Sequence, residues 1–237
     1  MVQTEAKIYL SEQRGCTQTE AFRSFHTFNF GSFFQESKKN WGVLQTINEE
    51  TLVGNGCIEQ AIEAQTTVVL LPIVGTIDVA NGYNTEGSYA GVGEAYFFTT
   101  VDEDWLRVSN PYEREEVSYL QIRLQNADCQ PYNNETITNF AFEKYKNRLL
   151  PYCPQKEKQT VWGSIGQFDG RAESVYCLKN PQNNVFVYVI EGVFEVQNRL
   201  LHARDGLALW HLETVELEAL SNDAVILLIE MAQPFSS

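Results

Sequence analysis

The chain has 237 residues, with 17 basic and 31 acidic side chains giving a formal net charge of −14. Hydrophobic residues make up 43 % and aromatics 12 %, which supports a sizeable core and excludes a disordered composition. Such acidity argues against nucleic acid and anionic membranes as partners and favours solubility. No run approaches the roughly 18 apolar residues of a membrane helix. The start, "MVQTEAKIYL", lacks the basic and then apolar order of a signal peptide. Five cysteines (Cys16, Cys57, Cys129, Cys153 and Cys177) are odd in number and widely spread, with no C-x-x-C. That pattern predicts a cytoplasmic protein with mostly buried thiols.

In chain order, short β-like runs dominate. "HTFNF" (His26–Phe30) alternates polar and aromatic residues. "TTVVLLPIVGTIDV" (Thr66–Val79) is too apolar for a sheet edge, and Pro72 predicts a break or bulge within it. "EAYFFTT", "EEVSYLQIRLQ", "NVFVYVIEGVFEV", "GLALWHL" and "DAVILLIEM" follow, separated by turn signals such as "ANGYNTEG", "KNPQNN", Gln197–Asn198 and "RDG". Strands at about ten-residue spacing predict an all-β barrel or sandwich. "TNFAFEKYKNRLL" (Thr138–Leu150) is the single helical candidate, with Phe142, Tyr145 and Leu149 at helical spacing. The halves echo each other: "LLPIVGTIDVANG" and "VYVIEGVFEVQNR" each run strand, glycine turn (Gly75 or Gly192), strand, Asn-containing turn. The expected organisation is two tandem barrels, residues 1–125 and 147–237, joined by a linker at 126–146. Exchange of terminal strands between them is left open.

The repeated unit is similar to a cupin, the small double-stranded β-helix barrel of jelly-roll type. "HTFNFGSFF" (His26–Phe34) followed by "WGVLQTINEETLVGNG" (Trp41–Gly56) resembles the N-terminal strings of the pirin family. "VYVIEGVFEVQNRLLHARDGLAL" (Val187–Leu209) resembles that family's second barrel. The resemblance runs from about Ile8 to Met231 and implies a bicupin. It implies an iron-type metal in the N-terminal barrel, held by a His-x-His and a later His-x-Glu, and quercetin dioxygenase activity in some members. Other members act as regulatory binding proteins.

This sequence departs from the motif. Anchoring on Gly75 puts the strand histidines at Ala61 and Glu63; anchoring on Gly54 and Gly56 puts them at Gln60 and Ile62. The His-x-Glu falls near Arg107 and Ser109. An arginine stays protonated and does not bind iron. His26, His202 and His211 lie elsewhere in sequence. No metal and no other cofactor are therefore expected. The carboxylates Asp102–Asp104 and Glu94 read as a solvated acidic loop rather than a hard-cation site. Cys57 reads as a buried structural thiol, and His26 as a hydrogen-bonded structural histidine.

The altered motif predicts a site of Gln60, Glu63, Trp105, Arg107 and Ser109, with the Arg107 guanidinium pairing Glu63 in place of the metal's charge. Trp105 is placed to plug or line the barrel mouth. Phe25, Phe28, Phe30, Phe33 and Phe34 read as core rather than as a flavonoid pocket. Two functions follow. One is a non-catalytic binding or regulatory module for a small organic ligand or a protein partner, monomeric or weakly dimeric. The other is an enzyme, either dioxygenase-like with an unrecognised metal set or using Glu63 or Glu59 as a general base.

Overall fold

A computed structural model of the chain describes residues 4–125, 135–142, 144–153 and 159–233. Two compact units emerge, residues 14–139 and residues 1–13 with 140–237. Each described portion is built of β-strands and contains no α-helix.

In the first unit, a seven-stranded sheet runs Glu135–Asn139, Glu94–Thr99, Thr66–Val74, Val117–Gln125, Leu44–Leu52, Phe22–His26, Gly15–Gln18. A four-stranded sheet runs Cys57–Ile62, Asp104–Ser109, Ile77–Asn81, Ser88–Ala90. The second unit has a six-stranded sheet, Ala6–Tyr9, Gly206–Leu209, Asn184–Glu191, Ala224–Met231, Val161–Phe168, Leu150–Pro151. Its four-stranded sheet runs Glu173–Cys177, Thr214–Ala219, Val193–Val196, Arg199–His202. The interior strands of the two units follow the same order, so the sequence echo is a duplicated topology. All strand pairs are antiparallel, as in a pair of jelly-roll barrels.

Local chemistry explains the turns. Gly75 and Gly192 have φ of 76° and 79°, a conformation that side-chain-bearing residues resist, and each opens the return strand. Gln197 and Asn198 take φ of 47° and 59°, the two-residue hairpin geometry that matches strand twist. The bulge expected at Pro72 is present: the ladder slips between Ser118, opposite Val74, and Tyr119, opposite Pro72.

Each unit has its own apolar core. In the first it includes Ile62, Val68, Leu70, Val79, Phe98, Leu106, Val108 and Tyr119. In the second it includes Phe168, Val185, Val187, Phe194, Leu207, Leu217 and Ile226. Each such side chain contributes about 1.5–3 kcal/mol on full burial.

The expected boundaries need two corrections. Residues 4–11 belong with the C-terminal unit, not the N-terminal one. Ala6–Tyr9 pairs along Gly206–Leu209, Ser11 N–H donates to Asp205 at 2.7 Å, and Arg199 donates to the Thr4 carbonyl at 2.6 Å. Burial drives this: Tyr9 is 2 % exposed and packs its ring 5.5 Å from Phe186. At the other junction, Glu135–Asn139 is an edge strand of the N-terminal sheet rather than linker, and it takes Thr138 out of the helical candidate. Residues 126–134 and Glu143 lie outside the described residues. The rest of that candidate forms turns, with Phe140 packed on Phe142 at 4.9 Å.

Candidate functional site

Strand alternation decides which residues face the interior of the N-terminal unit. On Cys57–Ile62, Ile62 is buried and Ile58 and Gln60 are half-buried, while Cys57, Glu59 and Ala61 are exposed. On Asp104–Ser109, Leu106 and Val108 are buried. The two strands pair Leu106 with Gln60 and Val108 with Ile58. The inward positions across this pair are therefore Ile58, Gln60, Ile62, Leu106 and Val108, with half-buried Asp104 opposite Ile62 at the end of the same face.

The sequence register was off by one on the second strand, and a one-residue slip reverses every side chain. Arg107 lies on the outer face opposite Glu59, with its guanidinium 5.6 Å from the Trp105 ring. It makes no ion pair with Glu63. Ser109 is also on the outer face and donates a long hydrogen bond, 3.4 Å, to the Cys57 sulfur. Cys57 is exposed rather than buried, for the same reason of alternation. Trp105 lines an open depression of about 420 Å³ with Ala61, Ile62, Glu63, Glu103 and Asp104. Of the five expected site residues, the structure brings only Gln60 and Glu63 near a common group, and that group is Arg123.

Arg123 reaches inward from Val117–Gln125. Its Nε donates to Gln121 Oε1 at 2.8 Å, its Nη2 to Gln60 Oε1, and its Nη1 weakly to the Ala61 carbonyl at 3.4 Å. Burial pulls its pKa below the ordinary value, and the charges of Glu50 and Glu63 oppose that pull. The Phe30 ring lies 5.5 Å from the guanidinium. Beside it, Glu50 is 0 % exposed. Ser24 Oγ and Gln60 Nε2 donate to one carboxylate oxygen at 3.3 and 3.4 Å, and Gln121 Nε2 to the other at 3.4 Å. Burial pushes the Glu50 carboxyl above its ordinary pKa, against the pull of Tyr119, Arg123, Gln60 and Ser24. Tyr119 adjoins the same carboxylate without closing a well-formed hydrogen bond.

The polar patch continues across three strands. Thr46 stands opposite Arg123, Asn48 opposite Gln121 and Glu50 opposite Tyr119, while His26 and Ser24 flank Asn48 and Glu50 on the far side. His26 is the hydrogen-bonded histidine that was expected: Nε2 meets Thr17 Oγ1 at 3.0 Å and Nδ1 meets Ser24 Oγ at 3.3 Å. Burial lowers its pKa, favouring the neutral ring. Asn48 is 1 % exposed, and neither amide atom closes a hydrogen bond. Sequence reading missed this patch. Its signal was available: polar residues recur every second position in "LQTINEETL" (Thr46, Asn48, Glu50) and in "VSYLQIRLQ" (Tyr119, Gln121, Arg123).

The other unit carries a polar pair at the same topological seat. Val68 lies seven residues before Gly75, and Val185 lies seven before Gly192. Val68 pairs with Arg123, and Val185 pairs with Glu230. Likewise Val79 and Val196 each lie four residues after those glycines and pair with Val108 and Leu217. Two residues back along those strands, Leu106 pairs with Gln60 and Val215 with Tyr176. Gln60–Arg123 and Tyr176–Glu230 are thus equivalent. Glu230 is 0 % exposed and accepts from Tyr176 Oη at 2.7 Å, Lys179 N–H at 2.7 Å and Asn183 Nδ2 at 2.6 Å.

Comparison with known proteins agrees with this architecture. Residues 156–231 match the family model described as the quercetinase C-terminal cupin domain of pirins. No curated protein sequence matches the chain. The crystal structure of YhhW from Escherichia coli superposes with a TM-score of 0.84 at 15 % identity, covering 98 % of this chain and 100 % of that one. The chain has a bicupin fold, and its residues 156–231 match a pirin-type cupin model. A nickel(II) complex of YhhW, titled a bacterial pirin, matches at TM-score 0.81 and 16 % identity, over 97 % of this chain and all of that one. A quercetin 2,3-dioxygenase from Acinetobacter baumannii matches at TM-score 0.73 and 12 % identity, over 98 % of this chain and 80 % of that one.

The donor set of this chain does not fit the metal that the resemblance implies. Imidazole and carboxylate ligands would be needed at the inward positions. One amide (Gln60), four aliphatic side chains (Ile58, Ile62, Leu106, Val108) and a single carboxylate (Asp104) stand there instead, with no imidazole. Among the described residues, no three His, Cys, Asp or Glu side chains are grouped to hold a metal ion. Nor is any described helix long and apolar enough to cross a membrane.

Proposed function

We propose that this bicupin works without its family's metal centre, as a non-catalytic cytoplasmic module that binds a small organic ligand or a protein partner. The observation that carries the reading is the apolar filling of the inward positions by Ile62, Leu106 and Val108. Oxygen chemistry on a flavonol needs a metal or cofactor to handle O₂, and this wall has no donor set to hold one. Glu59, a candidate base, sits exposed on the outer face. Glu63 lies on the rim of a cavity shared with a guanidinium.

The test is the metal content of protein purified without chelator and then offered Fe²⁺, Mn²⁺, Ni²⁺ or Cu²⁺, with quercetin consumption assayed on each sample. Trace metal and no flavonol turnover are expected. One tightly bound metal per chain, or turnover that follows a metal, would overturn the proposal in favour of a dioxygenase-like enzyme with a different ligand set.

A further inference from the structure

The equivalent seats in the two units differ in how they are closed. In the C-terminal unit six residues, 178–183, join the strands ending at Cys177 and starting at Asn184. That loop folds onto Glu230 and satisfies it with backbone and side-chain donors. In the N-terminal unit the corresponding connection has only three residues, 63–65, between Ile62 and Thr66. A cavity of about 280 Å³ lies beside Arg123, bounded also by Asn29, Phe30, Gln45, Thr46 and Glu63.

We infer that this cavity is a binding site for a small planar organic monocarboxylate, recognised by Arg123. The inference rests on the metal-free reading, because a metal in the barrel would itself set what binds. Four observations support it. A guanidinium has five N–H donors. Arg123 directs one to Gln121, one to Gln60 and one, weakly, to Ala61, so part of its donor edge is uncommitted. A carboxylate is the group whose two oxygens match that fork. Second, Phe30 both stacks on Arg123 and lines the cavity, which offers an aromatic wall to a flat ligand.

Third, the size selects. At about 30 Å³ of liquid volume per water, the cavity holds roughly nine waters, or one ring bearing a carboxylate. Fourth, the lining is polar: Asn29, Gln45, Thr46, Thr66 and Gln125 offer hydrogen-bonding groups around Arg123. Glu63 is the other charged group on the lining, and its charge acts on Arg123. An entering carboxylate competes with it.

The test uses calorimetric titration of the intact chain with benzoate, benzamide and benzylamine, three probes of one shape and different charge. Benzoate is expected to bind at least about tenfold more tightly than benzamide, with no heat from benzylamine. Arg123→Gln should abolish benzoate binding. Because that variant can fail to fold, Glu63→Gln at the exposed rim gives an independent reading: removing the competing carboxylate should tighten benzoate several-fold. Equal affinity for benzoate and benzamide, preference for benzylamine, no binding at millimolar concentration, or an unchanged affinity in E63Q would each overturn the inference. A protein that is metal-free yet ignores benzoate sinks this inference and leaves the proposed function standing. A stoichiometric metal sinks the proposed function itself.

Discussion

The two arginines near the altered motif make opposite predictions when each is replaced by methionine. Arg123→Met removes two charge-assisted hydrogen bonds, to Gln121 and Gln60, and the cation beside the fully buried Glu50. Charge-assisted bonds contribute about 1.5–3 kcal/mol each, and breaking a buried pair costs about 3–5 kcal/mol. Arg123 is only half-buried, so water re-solvates part of what is lost, and a deficit of about 3 kcal/mol is expected. Arg107→Met removes one ring contact at 5.6 Å on the outer face, worth about 0.5–1 kcal/mol.

Equilibrium urea unfolding read by circular dichroism measures both, with the two units fitted as separate transitions if the curve is biphasic. The pH dependence adds a second signature. Glu50 is already raised in the folded state by burial. A carboxyl raised in this way contributes stability below its unfolded pKa and loses it as pH rises through the folded pKa. Removing Arg123 raises it further, so the R123M deficit should shrink as pH falls toward about 4.3 and grow toward neutrality. Equal effects of the two substitutions, or an R123M deficit that is flat with pH, would refute the assignment of Arg123 as the buried charge.

Three further substitutions probe the frame. Gly192→Ala forces a side chain onto φ of 79° and places its Cβ 2.4 Å from Ser221 Oγ and 2.8 Å from Ala224 Cβ. It should cost about 2 kcal/mol, seen as a melting temperature lower by about 4–8 °C. Tyr9→Ala empties a side chain that is 2 % exposed and should destabilise the C-terminal unit by about 3–5 kcal/mol in the same urea assay, although residue 9 precedes the whole N-terminal unit in sequence. Glu230→Ala orphans the Tyr176, Lys179 and Asn183 donors, at about 1–3 kcal/mol for each that stays dry. Hydrogen exchange at the Lys179 amide should quicken accordingly, and an unchanged rate would show that Glu230 does not hold the loop.

Fold and repeat were legible in the sequence because each rests on short-range signals. Strand periodicity, the positive-φ glycines at 75 and 192 and the Pro72 bulge all act within a few residues. The exchange of Ala6–Tyr9 was not legible, since nothing local says which edge an N-terminal strand joins. The helical reading of 138–150 failed because it rested on a three-residue coincidence of apolar spacing: Thr138 and Asn139 pair with Ala95 and Glu94, and the described residues 142–148 form turns. In the site, the expected Arg107 lies on the outer face, and the arginine inside the barrel is Arg123. Anchoring Asp104–Ser109 on Pro111 put Arg107 inward, when Leu106 and Val108 alternate inward instead. The polar alternation of Thr46, Asn48 and Glu50 with Tyr119, Gln121 and Arg123 marked one shared face, but a solvent face reads the same way, and only the burial of Asn48, Glu50 and Gln121 shows that it points inward.

The paired seats also bear on what took the metal's place. If Arg123 were a substitute for a dication, its seat should be peculiar to the unit in which the resemblance implies a metal. It is not: Glu230 and Tyr176 fill the equivalent seat in the C-terminal unit, with the charge reversed. Arg123 donates toward a carbonyl of the strand Cys57–Ile62, at Ala61, whereas Glu230 accepts loop N–H groups. The polar pair is therefore a property of this duplicated barrel, set where the strand beside Val68 or Val185 meets the following loop. The inward positions beside it are mostly aliphatic, at Ile58, Ile62, Leu106 and Val108. Aliphatic side chains leave no donor or acceptor to satisfy, so the barrel needs no compensating charge at that point. What distinguishes the N-terminal seat is its three-residue loop, too short to cover the charge, and that difference is what opens the Arg123 cavity to a ligand.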